Sequence, residues 1–564
     1  MDRREFFSPL TSSIKSGISS PKHIDQISAT KKVNRGLSTG ITPYIGAWTY
    51  DQVAHLLRRT MFGATIDDIK YFLGKNMDAA VDELLNPTAA LPSPPINAYN
   101  TAQAIDPNVI AGLTWVNASD DPNFNPQRRL SLKTWWMGVM INQDRSIREK
   151  MVMFWHNHFS TEINTYDSPM LAYRHNNLLR INSLGNFKSF VKDITKDGAM
   201  LVYLNGNVNT KAAPDENYAR ELQELFTVGK DLNPHYSEDD VKNAAKVLTG
   251  WRINNQRQVS FDVSKHDTTN KTFSSFYNNT TITGQSSANA GDLELDSLLN
   301  MIFAQDEVAR YICRKLYRYF VYYDIDAATE QNVIVPLANI FRQNNYGILP
   351  VLSALFKSEH FFDAANMGCL IKPPTDFVVS MCRTTYLKFP DPGTQYDILY
   401  KHWADLYIFN YAIGQDIGDP PNVAGWPAYY QIPSYHELWI NSDSLPKRNQ
   451  ITDYYVAVGN KKGNFTVIMD LIELSKKMTK PDDPNILIDD LCKYLHASLS
   501  LSATTKLTTK ISTLLSGQAQ DYYWTNAWND HINNPNDATK KQIVTLRLML
   551  LYRYLLDLSE YQLS

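Results

Sequence analysis

Residues 147–159 have the sequence IREKMVMFWHNHF, with apolar side chains on nearly every side of a helix. A helix that is apolar all round lies in the core of a large protein rather than at its surface. The stretch therefore predicts a buried central helix. It also places two imidazoles, those of His156 and His158, among apolar neighbours.

Helical periodicity continues over most of the chain and predicts an all-α fold, a large multi-helix domain with long irregular loops. Segments with this period cover about residues 50–86, 128–204, 215–249, 293–362 and 447–558. Three segments break the period and are expected as loop insertions, at about 87–126, 252–285 and 410–434. Alternating polarity at 259–263 predicts a small β excursion near 252–285. We expect residues 47–564 to form a single helical domain.

Residues 1–46 differ from the rest of the chain and predict a flexible polar tail. They are rich in Ser and Thr and hold seven Lys or Arg against three Asp or Glu, a composition with little apolar surface to bury. Asp2-Arg3-Arg4-Glu5-Phe6-Phe7 resembles the start of a twin-arginine export signal. The residues from Ser8 to Lys15 are too polar for the apolar segment that such a signal needs.

Composition argues against several classes of protein. The 564 residues include 43% hydrophobic side chains, and the formal net charge of -3 gives no sign of a nucleic-acid-binding surface. The most apolar stretch, residues 543–558, contains Arg547, Arg553 and Asp557 and predicts a core helix rather than a membrane span. The four cysteines lack CxxC spacing and predict buried thiols. Walker A, GxGxxG, GxSxG and HExxH motifs are absent from the sequence.

The two histidines of the central segment suggest a metal site only under one condition. At about 100° per residue, His156 and His158 point to nearly opposite sides of a continuous helix. They share a face if the helix ends near Trp155 and the chain then extends. A zinc-type site would need a further donor, for which His266 is a candidate. The alternative is that each histidine is a core residue satisfied by a hydrogen bond.

A second polar group lies in the predicted helix at about 215–228. Glu216, Arg220 and Glu224 recur at i, i+4 and i+8, with Glu221 beside them. One interpretation is a solvated face whose ion pairs contribute only a few tenths of a kcal/mol. The other is a catalytic group in which Arg220 keeps one carboxylate ionised while a less solvated carboxyl acts as an acid or base. The extent to which these four side chains are buried distinguishes the two interpretations.

A turn-rich loop at 418–427 is followed by four aromatic residues, Tyr429, Tyr430, Tyr435 and Trp439. Aromatic side chains of this kind stack on a sugar ring or a peptide, or they anchor a long loop to the helices beneath it. The sequence leaves both interpretations open.

Several segments together resemble the large bacterial family catalogued as domain of unknown function 1800, over about residues 50–560. In chain order they are HLLRRTMFG (55–63), WHNHF (155–159), ENYARELQELF (216–226), YSEDDV (236–241), LTGW (248–251), His266-Asp267, ICRKL (312–316) and PNVAGWP (421–427). The resemblance implies no settled activity. It implies frequent export to the periplasm or the outside of the cell, and a phosphatase- or sulfatase-like protein encoded nearby. Without a clear apolar segment after Arg3-Arg4, a cytoplasmic location stays open.

Two functions follow from these patterns. The one we favour is a binding or assembly component of the cell envelope or secreted fraction, in which the polar residues form a structural network and the loops at 87–126 and 410–434 supply the binding surface. The alternative is a metal-dependent or acid/base hydrolase. Its pocket would lie between helices and combine a divalent metal on His156, His158 and His266 with the catalytic groups Arg220, Glu221, Glu224 and Glu216. Spacing alone assembles no complete catalytic group, which is why we favour binding.

Overall fold

Residues 147–159 form the buried helix that their composition predicts. The helix spans Arg148–His158, and the indole of Trp155 is fully buried. Its ring lies 5.5 Å from that of Phe187 and 5.3 Å from that of Phe190. The indole N–H donates to the Ser183 carbonyl at 2.9 Å. The segment is therefore at the centre of the core.

A computed structural model describes residues 39–230, 235–497 and 501–564. Its first eleven helices are α1 Tyr50–Thr60, α2 Ile66–Leu73, α3 Met77–Leu85, α4 Asn125–Ile141, α5 Arg148–His158, α6 Ile163–Tyr166, α7 Pro169–Ile181, α8 Phe187–Thr195, α9 Gly198–Tyr203, α10 Asn217–Glu221 and α11 Glu238–Val247. The later helices are α12 Ala290–Phe303, α13 Asp306–Phe320, α14 Ala327–Thr329, α15 Val335–Gln343, α16 Ile348–Phe356, α17 Pro374–Thr384, α18 Tyr396–Ala412, α19 Ser444–Ala457, α20 Leu471–Ser475, α21 Pro484–Leu495, α22 Ala503–Ser512, α23 Tyr522–Asn533 and α24 Ala538–Asp557. Two π-helical segments, Leu222–Thr227 and Glu330–Ile334, continue α10 and α14.

Within residues 39–230, 235–497 and 501–564, the β structure is limited to three short antiparallel pairs. The strands are β1 Trp251–Ile253 with β2 Val259–Phe261, β3 Lys271–Thr272 with β4 Thr281–Ile282, and β5 Asn460–Lys462 with β6 Phe465–Val467. The first two pairs lie inside the predicted excursion. The mainly helical class with a small β excursion near 252–285 is therefore confirmed. The third pair was not predicted, because its two short strands lie inside a segment, 447–558, whose periodicity is helical.

Buried apolar side chains from Val53 to Tyr561 pack into one cluster. The chain joins this body before Trp48, since the Tyr44 N–H donates to the Lys357 carbonyl at 2.8 Å. Residues 1–38 of the predicted tail at 1–46, including Arg3-Arg4, lie outside the described residues. In the described ranges, every helix is too short or too polar to cross a bilayer.

Candidate functional site

His156 binds the loop that follows α18. Its Nε2 accepts a hydrogen bond from the Gly418 N–H at 3.0 Å, and its ring packs against Trp136 and Trp426 at 5.2 and 5.5 Å. The adjacent Asn157 Oδ1 accepts from the Trp426 N–H at 2.9 Å. Burial lowers the pKa of His156 to about 3, with smaller contributions from nearby positive groups. The imidazole is therefore neutral and holds the loop against α5.

His158 binds two other elements. Its Nε2 donates to the Phe226 carbonyl at 3.1 Å, at the end of the π-helical segment. Its Nδ1 accepts from Lys315 Nζ on α13 at 3.2 Å, and that amine also donates to the Leu225 carbonyl at 3.2 Å. Burial, followed by the positive charge of Lys315, holds the pKa of His158 well below its usual value. Burial also lowers the pKa of Lys315 to about 7.

His266 lies in a third environment, beneath the β excursion. Its Nε2 donates to Glu294 Oε1 at 3.0 Å, and Lys271 Nζ binds Glu294 Oε2 at 2.7 Å. His266 and Lys271 are fully buried and Glu294 is almost so. His266 Nδ1 also lies within hydrogen-bond distance of the Thr249 backbone carbonyl and hydroxyl. The group joins β3 and the segment after α11 to α12.

The three histidines are therefore not brought together. Helix α5 continues through His158 instead of ending near Trp155, so the rings of His156 and His158 point to different neighbours, as a continuous helix requires. In the described part of the chain, no three His, Cys, Asp or Glu side chains are arranged to hold a metal ion. The metal prediction gains no support from these contacts and stays a prediction.

Three of the predicted carboxylate-helix residues form partly exposed ion pairs. Arg220 donates twice to Glu238, at 2.9 and 2.7 Å, and once to Glu216 at 3.2 Å. Glu224 pairs with Lys230 at 2.7 Å. The side chains of Arg220 and Glu238 are 34% and 68% exposed, and such pairs contribute at most about 1 kcal/mol each.

Glu221 differs because it is half-buried. Burial raises the pKa of its carboxyl group, and the charge of Glu224 raises it further. The chain changes to π-helical winding immediately after Glu221, so the i, i+4, i+8 face expected for Glu216, Arg220 and Glu224 does not continue as one regular stripe. The predicted pocket of histidines and carboxylates is not assembled by these contacts.

The segments singled out in the sequence nevertheless meet at the end of α5. His156 and Asn157 hold residues 418–426, while His158 holds Phe226 and Lys315. These contacts join segments that carried the resemblance stated above. The profile of the family described as Protein of unknown function (DUF1800) matches residues 55–563. The chain belongs to this family. No curated protein and no solved structure matches it.

A cleft that sequence reasoning missed lies within the part of the chain matched to the family. It forms where α1, α5, α13 and α17 meet residues 428–439, and its empty volume is about 510 Å³, part of it open to solvent. We call it the cationic cleft. Its basic residues are Arg58, Arg59, Lys150 and Arg318. Its aromatic residues are Tyr319, Tyr323, Tyr429, Tyr435 and Trp439, with His436 beside them.

The arginines of the cationic cleft are held by neutral acceptors. Arg58 Nη2 donates to the Tyr494 carbonyl at 2.9 Å, and Arg318 Nε donates to the Tyr323 carbonyl at 3.3 Å. Arg59, only 3% exposed, donates to the Asn366 carbonyl at 3.0 Å, while its buried Nε has no hydrogen-bond partner in the described structure. Within the described residues, no carboxylate lies within the 4.0 Å ion-pair distance of these three guanidinium groups.

The remaining charged groups confirm that positive charge dominates the cleft. Lys150 is paired with Asp376, which is the only acidic side chain among the described lining residues. Burial, followed by the charge of Arg59, lowers the pKa of His436 to about 4. Its Nδ1 accepts from the Ile371 N–H at 3.1 Å. His436 is therefore neutral, and the guanidinium charges stay uncompensated.

Aromatic rings line the same cleft. The Tyr429 ring lies 5.4 Å from that of Tyr319 and 5.7 Å from that of Trp439, and the Tyr323 ring lies 5.3 Å from that of Tyr435. Three of these rings follow the loop that His156 and Asn157 bind to α5. The sequence signals for the cleft were the adjacent arginines at 58–59 and the aromatic residues after position 427. Nothing in the sequence shows that the two segments meet.

Proposed function

We propose that this protein binds an anionic ligand in the cationic cleft, and that binding rather than hydrolysis is its biochemical activity. The observation that carries the proposal is the set of Arg58, Arg59 and Arg318 without a neighbouring carboxylate. The aromatic rings of the cationic cleft offer a surface for the uncharged part of the ligand.

Uncompensated charge in a partly buried site is unfavourable, because desolvation removes stabilisation by water that no counter-charge replaces. An anion in the cleft supplies that counter-charge. The guanidinium group matches carboxylate, phosphate and sulfate oxygens through paired N–H donors. The whole chain carries a formal net charge of -3, so the positive potential belongs to the cleft and not to the molecule as a whole.

The chemistry of the cleft favours binding over acid/base catalysis. Asp376 is occupied by its ion pair with Lys150. His436 has a pKa of about 4, too low for efficient proton exchange near neutral pH. Outside the cleft, the hydrolase alternative rests on Glu221, because its predicted partners Arg220 and Glu224 are engaged in ion pairs.

We include in the proposal the setting that the family resemblance implies: the cell envelope or secreted fraction, and a phosphatase- or sulfatase-like partner. An anion-binding cleft suits that setting, since phosphate and sulfate esters and their products are anions. The partner itself would be tested by co-purification from cells that express both proteins.

Titration calorimetry with sulfate, phosphate and acetate tests the binding proposal on the purified chain. We expect at least one anion to bind, with an affinity that falls as sodium chloride is added. Arg59→Gln should weaken this binding at least tenfold, which corresponds to about 1.4 kcal/mol. Arg174→Gln is the matched control, because Arg174 is exposed on α7 and does not line the cleft.

Circular dichroism would confirm that both variants fold. No binding of any of the three anions, or equal affinity in wild type and Arg59→Gln, would overturn the proposal.

A further inference from the structure

A second, smaller cavity adjoins the cationic cleft. It has an empty volume of about 410 Å³ and shares Arg58, Asp376 and Ser564 with the cleft. Its other lining residues include Lys372 and Tyr561. We call it the second chamber. The shared residues form the boundary between the two spaces.

The second chamber contains a basic side chain of its own that lacks a carboxylate partner. Lys372 Nζ donates to the Tyr561 carbonyl at 2.6 Å and lies 4.1 Å from the centre of the Tyr561 ring. No carboxylate of the described residues lies within the 4.0 Å ion-pair distance of this amine. Burial lowers the pKa of Lys372 to about 7, and the charge of Arg58 contributes in the same direction. Arg448, which donates to the Lys372 carbonyl at 2.9 Å, adds another nearby positive charge.

The boundary between the chambers carries both signs of charge, because Arg58 and Asp376 line both spaces. Asp376 is the only acidic side chain among the described lining residues of either space, and Lys150 pairs with it. An anionic group is therefore favoured at the basic groups on either side, which have no carboxylate partner. The positive groups lie accordingly, with Arg59 and Arg318 in the cationic cleft and Lys372 in the second chamber.

We infer that the ligand carries two anionic groups, one bound in the cationic cleft by Arg59 and Arg318 and the other in the second chamber by Lys372, joined by an uncharged spacer that passes Asp376. This inference rests on the proposed function. It specifies the class of ligand as a molecule with two separated negative groups.

Calorimetry with straight-chain α,ω-dicarboxylates from succinate to suberate, each compared with the monocarboxylate of the same length, tests the inference. We expect one length to bind at least tenfold more tightly than its monocarboxylate. Lys372→Met should abolish that gain. Lys401→Met, at an exposed lysine of α18, is the matched control and should preserve the gain.

The affinities of wild-type protein for the dicarboxylates of different length test the inference even if Lys372→Met fails to fold. If monocarboxylates bind and no dicarboxylate exceeds its counterpart tenfold, the inference is overturned while the proposed function stands. If Lys372→Met weakens monocarboxylates and dicarboxylates equally, the second chamber does not bind the second anion, which also overturns it. If no carboxylate binds but sulfate or phosphate does, the dicarboxylate ligand class is overturned while the proposed function stands. If no anion binds at all, the proposed function fails as well.

Discussion

His158 shows how a residue that suggests metal chemistry can instead hold a core together. Its two ring nitrogens satisfy the Phe226 carbonyl and Lys315 Nζ, and both partners come from other elements. A buried polar group that loses its partner keeps its full desolvation cost. The imidazole is therefore a structural connection between α5, the π-helical segment and α13.

We predict that His158→Ala lowers the free energy of unfolding by about 2–4 kcal/mol, from the two lost hydrogen bonds and the cavity left behind. Urea unfolding followed by circular dichroism measures the change. His235→Ala is the control, because His235 is exposed and its loss should cost less than about 0.5 kcal/mol. Equal stability of the two variants would contradict this account of His158.

The same pair of variants tests the metal prediction. Since each of the three histidines is engaged with its own protein partners, we expect the metal content to be the same in wild type, His158→Ala and His235→Ala. Plasma mass spectrometry on purified, untagged protein measures it. Near-stoichiometric metal in wild type that disappears only in His158→Ala would restore the metal site.

Acid should destabilise the fold through its buried histidines. The pKa of His156 is lowered to about 3 and those of His436 and His496 to about 4, against about 6.5 in the unfolded chain. Between these values the unfolded chain binds more protons than the folded one, so stability rises with pH and falls as pH drops below about 6.5. Each histidine contributes up to about 1.4 kcal/mol per pH unit in that window.

Urea unfolding at pH 7.5 and pH 5.0 measures this dependence, and the lower pH should give the smaller free energy of unfolding. A free energy of unfolding that stays constant or increases from pH 7.5 to pH 5.0 would contradict this account of the pH dependence.

At the scale of elements, the loop after α18 depends on a glycine. Gly425 has a φ of +88°, and an added Cβ would overlap the Asn157 side chain and backbone. Gly414 has a φ of +108° with nothing within 4 Å of an added Cβ. The two positions share the left-handed backbone, which favours glycine, and differ in whether a neighbour blocks a side chain.

We predict that Gly414→Ala costs about 1 kcal/mol from the backbone alone, whereas Gly425→Ala costs more and displaces the loop from α5. Because that loop carries Tyr429 into the cationic cleft, Gly425→Ala should also weaken anion binding, and Gly414→Ala should not. Thermal unfolding and calorimetry on both variants measure these effects. An unchanged anion affinity in Gly425→Ala would show that the loop does not shape the cleft.

Sequence patterns are informative about helix starts, because the interactions that fix a helix start join residues only a few positions apart. Thr65 accepts from the Asp68 N–H at 3.0 Å, and Ser237 with Asp240 forms a complete capping box; in each pair the two residues are three positions apart, a spacing typical of helix starts. The π-helical winding at Leu222–Thr227 was not predictable, because these residues also suit an α-helix. Tertiary contacts accompany it, including the hydrogen bond from the Tyr277 hydroxyl to Gln223 Oε1 at 2.8 Å.

At the scale of the whole molecule, only the aromatic part of the candidate site could be predicted from the sequence. Burial of the central helix follows from its composition, but the cationic cleft combines residues from position 58 to position 564, and a net charge of -3 conceals a local excess of positive charge. The carboxylate helix suggested a site because its charges are close in sequence. Arg58 and Arg59 are adjacent in the sequence, but Arg318 joins them only in the folded protein, where no carboxylate of the described residues lies within ion-pair distance of the three.

The most direct test of anion binding in the cationic cleft is a crystal structure of the protein with selenate, with data collected at the selenium absorption edge. The account predicts an anomalous peak in the cleft, within hydrogen-bond distance of the Arg59 guanidinium and absent from crystals of Arg59→Gln. Selenate found only elsewhere on the surface, with the cleft closed over its arginines, would contradict it.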